Sequence, residues 1–175
     1  NPQPHLGVFA EPDAASRDLG ALNARSAARW LMIEAPRDPG NLGSSIRSAD
    51  ATAAGGIILV GDACDPYAIE CVRATMGSIF AVKIYRVTRD EAIGLLVRWP
   101  GESVATAADG SVDYTEIGFK APAMLVIGTE AEGLSSPLRG ACASVARLPM
   151  LGRAESVNLA VAAGIFLYAA ERAQR

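Results

Sequence analysis

The sequence predicts one α/β domain in which helices flank a mostly parallel β-sheet. Half of its 175 residues are hydrophobic, which suits a compact domain of ordinary size. Short apolar runs of strand length alternate with helical segments, and clusters of Gly, Pro, Asn and Asp separate them. This alternation indicates βαβ crossovers, which set strands in parallel and cover both faces of the sheet.

The first elements after residue 28 alternate between strand and helix. A mainly apolar run, RWLMIE, has strand length and is followed by a turn rich in Pro and Gly. Asn41 suits the N-cap of the next helix, which a pair of glycines ends. A later helix begins with a Thr cap and early acidic residues. The predicted strands are 29–34, 57–61 and 82–87, and the predicted helices are 42–53, 65–75 and 88–98.

The second half continues the same alternation. Its predicted strands are 103–107, 124–128 and 145–149, and its predicted helices are 135–142 and 155–173. Ligands of such sheets bind in the loops that follow the carboxyl ends of strands. Glycine-containing loops follow the strands at 29–34, 124–127 and 145–148, so these loops are the candidate site.

Two segments are predicted. Residues 1–28 form an irregular lead-in, or the remnant of an N-terminal segment, with one helix near 14–23. Residues 29–175 form the domain itself. No apolar run approaches the roughly 20 residues of a membrane span, and no signal-peptide pattern is visible. The first residue is Asn1 rather than a methionine, which suggests an upstream segment. We expect a cytoplasmic protein that does not associate with a membrane.

Cysteine and histidine usage restricts the chemistry. Cys64, Cys71 and Cys142 are odd in number and lack a C-x-x-C pattern, so they read as reduced thiols of a cytosolic protein. The single histidine, His5, excludes a His-rich metal site and argues against a Ser-His-Asp triad. We therefore expect no metal.

The charge balance neither demands nor excludes a nucleic-acid partner. The net charge is −3, whereas autonomous nucleic-acid-binding domains are usually basic. All of the 16 basic residues except two lysines are arginines, which make forked contacts with phosphate. Arg37, Arg139, Arg147 and Arg153 form either a phosphate track or dispersed surface charge.

Standard nucleotide motifs are absent. The loop GTEAEGLS nearly matches a phosphate-binding loop, but Leu134 stands where the lysine belongs, and Glu130 and Glu132 would repel a triphosphate. No G-x-G occurs, which argues against a dinucleotide site. The remaining possibility is a site in which backbone groups of several loops hold the ligand. The segment LPMLGRAESVNLAV fits this interpretation, because Ser156 and Asn158 precede or begin a helix that offers free N–H groups.

Three segments together resemble the SpoU-type, or TrmH-type, branch of the SPOUT superfamily of RNA 2′-O-ribose methyltransferases. DPGNLGSSIRSADA (38–51) is similar to the family's N-P-G-N-L-G-x-x-x-R-T-A-D-A. LVIGTEAEGL (125–134) is similar to L-V-x-G-x-E-x-x-G-L. LPMLGRAESVNLAVA (148–162) is similar to I-P-M-x-x-x-x-x-S-L-N-V-S-x-A. Motif order and spacing match, and departures such as Ser48 for Thr and Val157 for Leu are modest.

The resemblance implies a fold and a set of partners. The C-terminal part would thread through a loop as a deep trefoil knot, which rules of chain topology alone would not suggest. S-adenosylmethionine would be the cofactor, bent among the second and third motifs. The substrate would be structured RNA, ribosomal or transfer RNA, and the protein would be a homodimer. Many members carry an N-terminal RNA-binding domain, and we expect none within residues 1–28.

The resemblance also assigns roles to residues, each with a simpler alternative. Arg47 would be the catalytic arginine; because arginine stays protonated, gripping phosphate and stabilising negative charge suits it better than acting as a base. The alternative is a surface arginine. Asn41, Ser156 and Asn158 would contact substrate or cap helices, and Glu130 would orient Arg47 or neighbouring amides or remain a solvated acid. The catalytic candidates are Arg47, Asn41, Glu130, Ser156 and Asn158. The cofactor-binding candidates are Gly128, Thr129, Gly133, Leu148, Met150, Val157 and Asn158. For Gly128, Leu148 and Val157, whose backbone groups would contact the cofactor, the alternative is an ordinary strand end in the core.

Two other functions remain open at the level of sequence. One is a non-catalytic RNA-binding relative that keeps the fold but has lost turnover. The other is a small-molecule-binding domain of flavodoxin-like type, whose sheet pattern fits but which has no need of the third motif.

Overall fold

An eight-stranded sheet forms the centre of the computed structural model, which describes residues 15–16, 19–129 and 132–175. Its strands are β1 (Ala15–Ser16), β2 (Arg29–Glu34), β3 (Ile57–Val60), β4 (Ile84–Val87), β5 (Ser103–Thr106), β6 (Val112–Asp113), β7 (Ala123–Ile127) and β8 (Ser144–Arg147). The order across the sheet is β1-β4-β3-β2-β7-β5-β8-β6. Each pair of neighbouring strands runs parallel. The predicted α/β class with a mostly parallel sheet is confirmed.

Helices cover both faces of this sheet, as the parallel arrangement requires. Every residue of β2 is buried, and its side chains alternate between two cores. Leu31 and Ile33 join the core beneath the first, second and fifth helices. Trp30 and Met32 join the core beneath the third and fourth. The helices are α1 (Pro39–Ala51), α2 (Ile69–Ala74), α3 (Arg89–Val97), α4 (Ser136–Ala141) and α5 (Leu159–Ala173).

Three helix starts differ from the sequence prediction by three or four residues. Helix α2 begins at Ile69 rather than at residue 65, because the Asp65 carboxylate accepts the N–H of Tyr67 in a turn before the helix. Helix α1 is capped by Asp38, whose carboxylate accepts the N–H of Asn41, so Asn41 lies in the first turn and is not the cap. Pro39 at the first helical position explains the shift, since its fixed φ and missing N–H suit that place. Helix α5 begins four residues later than predicted, because Asn158 rather than Ser156 caps it.

The lead-in also differs where the structure describes it. A strand, β1, pairs with β4, and a single 3₁₀ turn covers Leu19–Ala21, so the helix predicted near residues 14–23 is wrong in this part. Residues 1–14 and 17–18 lie outside the described chain. Among described residues, no helix is both long and apolar enough to cross a membrane.

The end of α5 is tied to the start of β2. Arg29 donates to the side chain of Gln174 at 3.0 Å, and the Gln174 amide donates to the carbonyls of Ala28 and Phe119 at 2.9 and 2.8 Å. Burial lowers the pKa of Arg29, which nevertheless keeps a carbonyl partner in Thr52. These bonds attach the C-terminal end of α5 to the start of β2 and to the segment before β7.

Candidate functional site

A cavity of about 250 Å³ opens at the carboxyl ends of β5, β7 and β8. These strands are neighbours in the sheet, so the three loops that follow them meet at one edge. The first turns of α5 close the cavity from the side. The lining residues are Thr106, Ala107, Ala108, Ile127, Gly128, Thr129, Gly133, Leu148, Met150, Glu155, Ser156, Val157, Leu159, Ala162 and Phe166.

The loop after β7 folds back tightly on itself. Thr129 and Gly133 exchange backbone hydrogen bonds of 3.2 and 3.0 Å, which close a narrow turn. Gly133 adopts a φ of 68°, a conformation that favours glycine. A Cβ on Gly128 would lie 2.0 Å from the carbonyl carbon of Gly133, so this position has no room for a side chain. Gly128, Thr129 and Gly133 are the described residues of this loop that line the cavity.

The loop after β8 reaches the cavity by a different route. Residues 148–158 contain no helix or strand, so their backbone groups are not committed to a ladder. Ser156 and Val157 line the cavity at the end of this loop. The side chain of Asn158 then accepts the N–H groups of Ala160 and Val161 at 2.9 and 3.3 Å and caps α5.

A side-chain hydrogen bond joins the first and third motifs. The Asn158 amide donates to the side-chain oxygen of Asn41 at 2.8 Å, across 117 positions of sequence. Both functional ends of Asn158 are therefore used, one for capping and one for the contact with α1. The contact aligns the start of α1 with the start of α5, beside the cavity.

Arg47 lies further along α1 and is exposed to solvent. It follows Asn41 by six residues, which corresponds to about 9 Å of helix rise. Within the described chain, no hydrogen bond or ion pair engages its guanidinium. A guanidinium in this state is free to bind an external anion such as phosphate.

The structure brings together most of the residues that were predicted from sequence. Six of the cofactor candidates and one catalytic candidate line the cavity. Asn158 stands at its edge, and Arg47 is not among the lining residues. Glu130 lies outside the described residues. That these residues bind a cofactor stays a prediction. The candidates in the lining are Gly128, Thr129, Gly133, Leu148, Met150, Val157 and Ser156.

Sequence reasoning missed the loop after β5. Thr106, Ala107 and Ala108 line the cavity, although no predicted site loop included them. The only available signal was that a predicted strand ends there at a turn. That signal was insufficient because local sequence does not predict that β5 lies between β7 and β8 in the sheet.

Two arginines proposed for a phosphate track hold this β5 loop in place. Arg139 donates twice to the carboxylate of Asp109, at 2.9 and 3.0 Å, and these bonds lower the pKa of Asp109. Arg147 donates to the carbonyl of Gly110 at 3.1 Å. Arg37 is paired with Asp62. These three side chains therefore bind protein groups in this structure.

The site contains no activated thiol. Burial raises the pKa of Cys71 and of Cys142 to about 12, so both are protonated at neutral pH. Among the described residues, no group of three or more His, Cys, Asp or Glu side chains could hold a metal ion. Among the described residues that line the cavity, the polar side chains are the hydroxyls of Thr106, Thr129 and Ser156 and the carboxylate of Glu155.

Comparison with known proteins agrees with this geometry. The model of the SpoU rRNA Methylase family matches residues 28–168. The chain belongs to the SpoU rRNA methylase family. Within it, the chain is 36% identical over 174 residues to a 23S rRNA (uridine(2479)-2′-O)-methyltransferase of Streptomyces viridochromogenes, covering 94% of this chain and 60% of that protein.

Solved structures of SpoU-like proteins share the fold. An rRNA methyltransferase from Sinorhizobium meliloti, crystallised with AdoMet, superposes with a TM-score of 0.83 at 43% identity over 86% of this chain and 58% of that one. The AviRb methyltransferase of S. viridochromogenes with AdoMet also gives 0.83, at 36% identity over 91% and 62% of the two chains. The chain thus spans roughly three fifths of these relatives.

Replacement of Asn158 separates its two contacts. In Asn158→Asp the carboxylate still accepts the α5 N–H groups but cannot donate to Asn41, so we expect a stable protein with reduced activity. In Asn158→Ala the cap is also lost, at a cost of about 1 kcal/mol in unfolding free energy. Chemical denaturation and RNA methylation assays measure the two effects. Equal stability of Asp and Ala variants would contradict the capping role.

Proposed function

We propose that this SpoU family member transfers a methyl group from S-adenosylmethionine to a ribose 2′-hydroxyl of ribosomal or transfer RNA. The observation that carries the proposal is the cavity in which backbone from the second and third motifs converges. Several relatives are named as 23S rRNA 2′-O-methyltransferases, and two similar structures contain AdoMet. The catalytic unit corresponds to residues 29–175.

The cavity suits such a cofactor. Its volume approaches the roughly 300–1,000 Å³ of pockets for ligands of this size. Gly128 and Gly133 bring backbone without side chains to the cavity wall, and Leu148 and Val157 combine apolar side chains with backbone polar groups, a mixture that fits a nucleoside. Thr129 and Met150 complete the wall. When bound, S-adenosylmethionine supplies an electrophilic methyl group on its sulfonium.

The chain's own residues would then position the RNA. Arg47 grips a phosphate next to the target nucleotide and stabilises the negative charge on the attacking 2′-oxygen, whose proton passes to solvent as the methyl group is transferred. Asn41 and Asn158 keep α1 aligned with the cavity, and Ser156 contacts the substrate from the cavity wall. Glu130 orients Arg47 or neighbouring amides. Positioning of this kind accounts for much of the rate in an in-line displacement.

The proposal extends to assembly and location. The protein forms a homodimer, which the half-exposed Val161 and Tyr168 on one side of α5 support. Its C-terminal part forms a deep trefoil knot, a proposal based on the family resemblance. The chain path in a crystal structure would test it. It acts in the cytoplasm and needs no metal.

Calorimetric titration and RNA mapping test the function. We expect the purified protein to bind S-adenosylmethionine with about one molecule per chain and to sediment as a dimer. Ribose methylation mapped in RNA from cells with and without the gene should differ at one or a few nucleotides. Cofactor binding without any difference in methylation would favour the non-catalytic relative. Absence of cofactor binding would reject the proposal, and a flavin spectrum would favour the flavodoxin-like alternative.

A further inference from the structure

Glu34 is a buried carboxylate at the edge of the cavity loop. Its side chain is only 6% exposed, and Glu34 is the last residue of β2, a central strand of the sheet. A buried charge is costly unless it is paired and hydrogen-bonded. Glu34 lies outside the three motifs, and the mechanism proposed above does not use it. Its retention in the core needs a physical reason.

The two oxygens of Glu34 serve two different elements. Oε1 accepts the guanidinium N–H of Arg89, at the start of α3, at 3.0 Å. Oε2 accepts the backbone N–H of Ser135 at 2.8 Å. Ser135 precedes α4 and ends the loop that begins at Gly128. Glu34 therefore links this loop, over 101 positions of sequence, to the strand at the centre of the sheet.

The loop between residues 128 and 135 has its two ends fixed by β2. At the entry, Ile33 pairs with Ile127 in the parallel ladder, directly before Gly128. At the exit, the carboxylate of Glu34 holds Ser135. Between these anchors the turn is closed by Thr129 and Gly133, both of which line the cavity. Loss of the exit anchor would free the lining backbone to move.

We propose that Glu34 is a positioning residue for cofactor binding, which sets the cavity-facing turn of the 128–135 loop through the Ser135 N–H. Arg89 has a supporting role, because it compensates the buried charge without touching the loop. This inference rests on the proposed function, since it concerns the same cofactor. It predicts that cofactor affinity depends on an oxygen at position 34 that accepts the Ser135 N–H. The ion pair between Arg89 and Glu34 should affect mainly the stability of the fold.

Three variants separate these effects. Glu34→Met keeps the length of the side chain but removes both acceptors, and we expect it to weaken S-adenosylmethionine binding about tenfold. Glu34→Gln keeps an amide oxygen for Ser135 and should bind within about twofold of the wild type. Arg89→Gln is the control: it should lower the melting temperature but leave the affinity unchanged. Isothermal calorimetry and thermal melting measure both quantities.

The outcomes distinguish this inference from the function on which it rests. If the wild type binds no S-adenosylmethionine, the proposed function fails. If the wild type binds and the Met variant binds equally well, or the Gln variant is as weak as Met, the role of Glu34 is overturned. Amide hydrogen exchange in the wild type gives a test that requires no variant to fold. Slow exchange at Ser135 supports the anchor, and exchange as fast as in an exposed loop overturns it.

Discussion

Arg47→Ala should reduce RNA methylation at least about 100-fold while S-adenosylmethionine binding remains unchanged. The reason is the position of Arg47 on the solvent face of α1, away from the cavity lining. Among the described residues its side chain forms no hydrogen bond or ion pair, so the truncation breaks no polar contact with them. Only the interaction with RNA and with developing charge should be lost. Single-turnover methylation and calorimetry measure the two quantities.

A matched control separates the effect of the position of Arg47 from the effect of losing one positive charge. Arg73 is an exposed arginine on α2, and its side chain likewise has no hydrogen bond or ion pair among described residues. Arg73→Ala removes the same charge from a neighbouring helix and should leave methylation within about twofold of the wild type, as expected for a surface charge. Normal turnover by Arg47→Ala would refute its assignment, whereas equal losses in both variants would indicate a general electrostatic effect.

Gly128→Ala should abolish S-adenosylmethionine binding and destabilise the protein by about 1–3 kcal/mol. A Cβ at this position would lie 2.0 Å from the carbonyl carbon of Gly133 and 2.1 Å from the nitrogen of Leu134. Both neighbours are backbone atoms, so no side-chain rotation can relieve the overlap. The turn would open, and the backbone that lines the cavity would move.

Gly118→Ala provides the comparison, because no atom lies within 4 Å of a Cβ placed there and its φ is not in the left-handed region. We expect the melting temperature and cofactor affinity of Gly118→Ala to match those of the wild type. Calorimetry and thermal melting of both variants measure the difference. Retention of cofactor binding by Gly128→Ala would show that the turn is more adaptable than the close backbone packing indicates.

Much of the architecture could be predicted from local pattern. The apolar run RWLMIE reads as a strand and is observed as β2 with the predicted bounds. The Thr88 cap of α3 is confirmed, with a capping box to Glu91. The starts of α1 and α5 were less predictable, because Asp38 and Asn41, like Ser156 and Asn158, are competing cap residues close together. Only the final packing decides which side chain reaches a free N–H.

The candidate site could be predicted only in part. Motif residues such as Gly128, Leu148 and Val157 were identified because their resemblance to the SpoU family is strong, and they line one cavity. The contribution of Thr106 and its neighbours was missed. The anchor at Glu34 was missed as well, because nothing in its local sequence shows that a strand-end carboxylate meets the N–H of Ser135.

The sequence by itself determined the alternation of strands and helices, the three motifs and therefore the family. Tertiary structure alone decided which loops share the cavity, because strand order depends on the packing of distant helices against the sheet. It also decided which polar groups pair across the chain, as Asn158 does with Asn41 and Glu34 with Ser135. Such pairs depend on geometry that the sheet imposes, and short-range propensities carry no information about it.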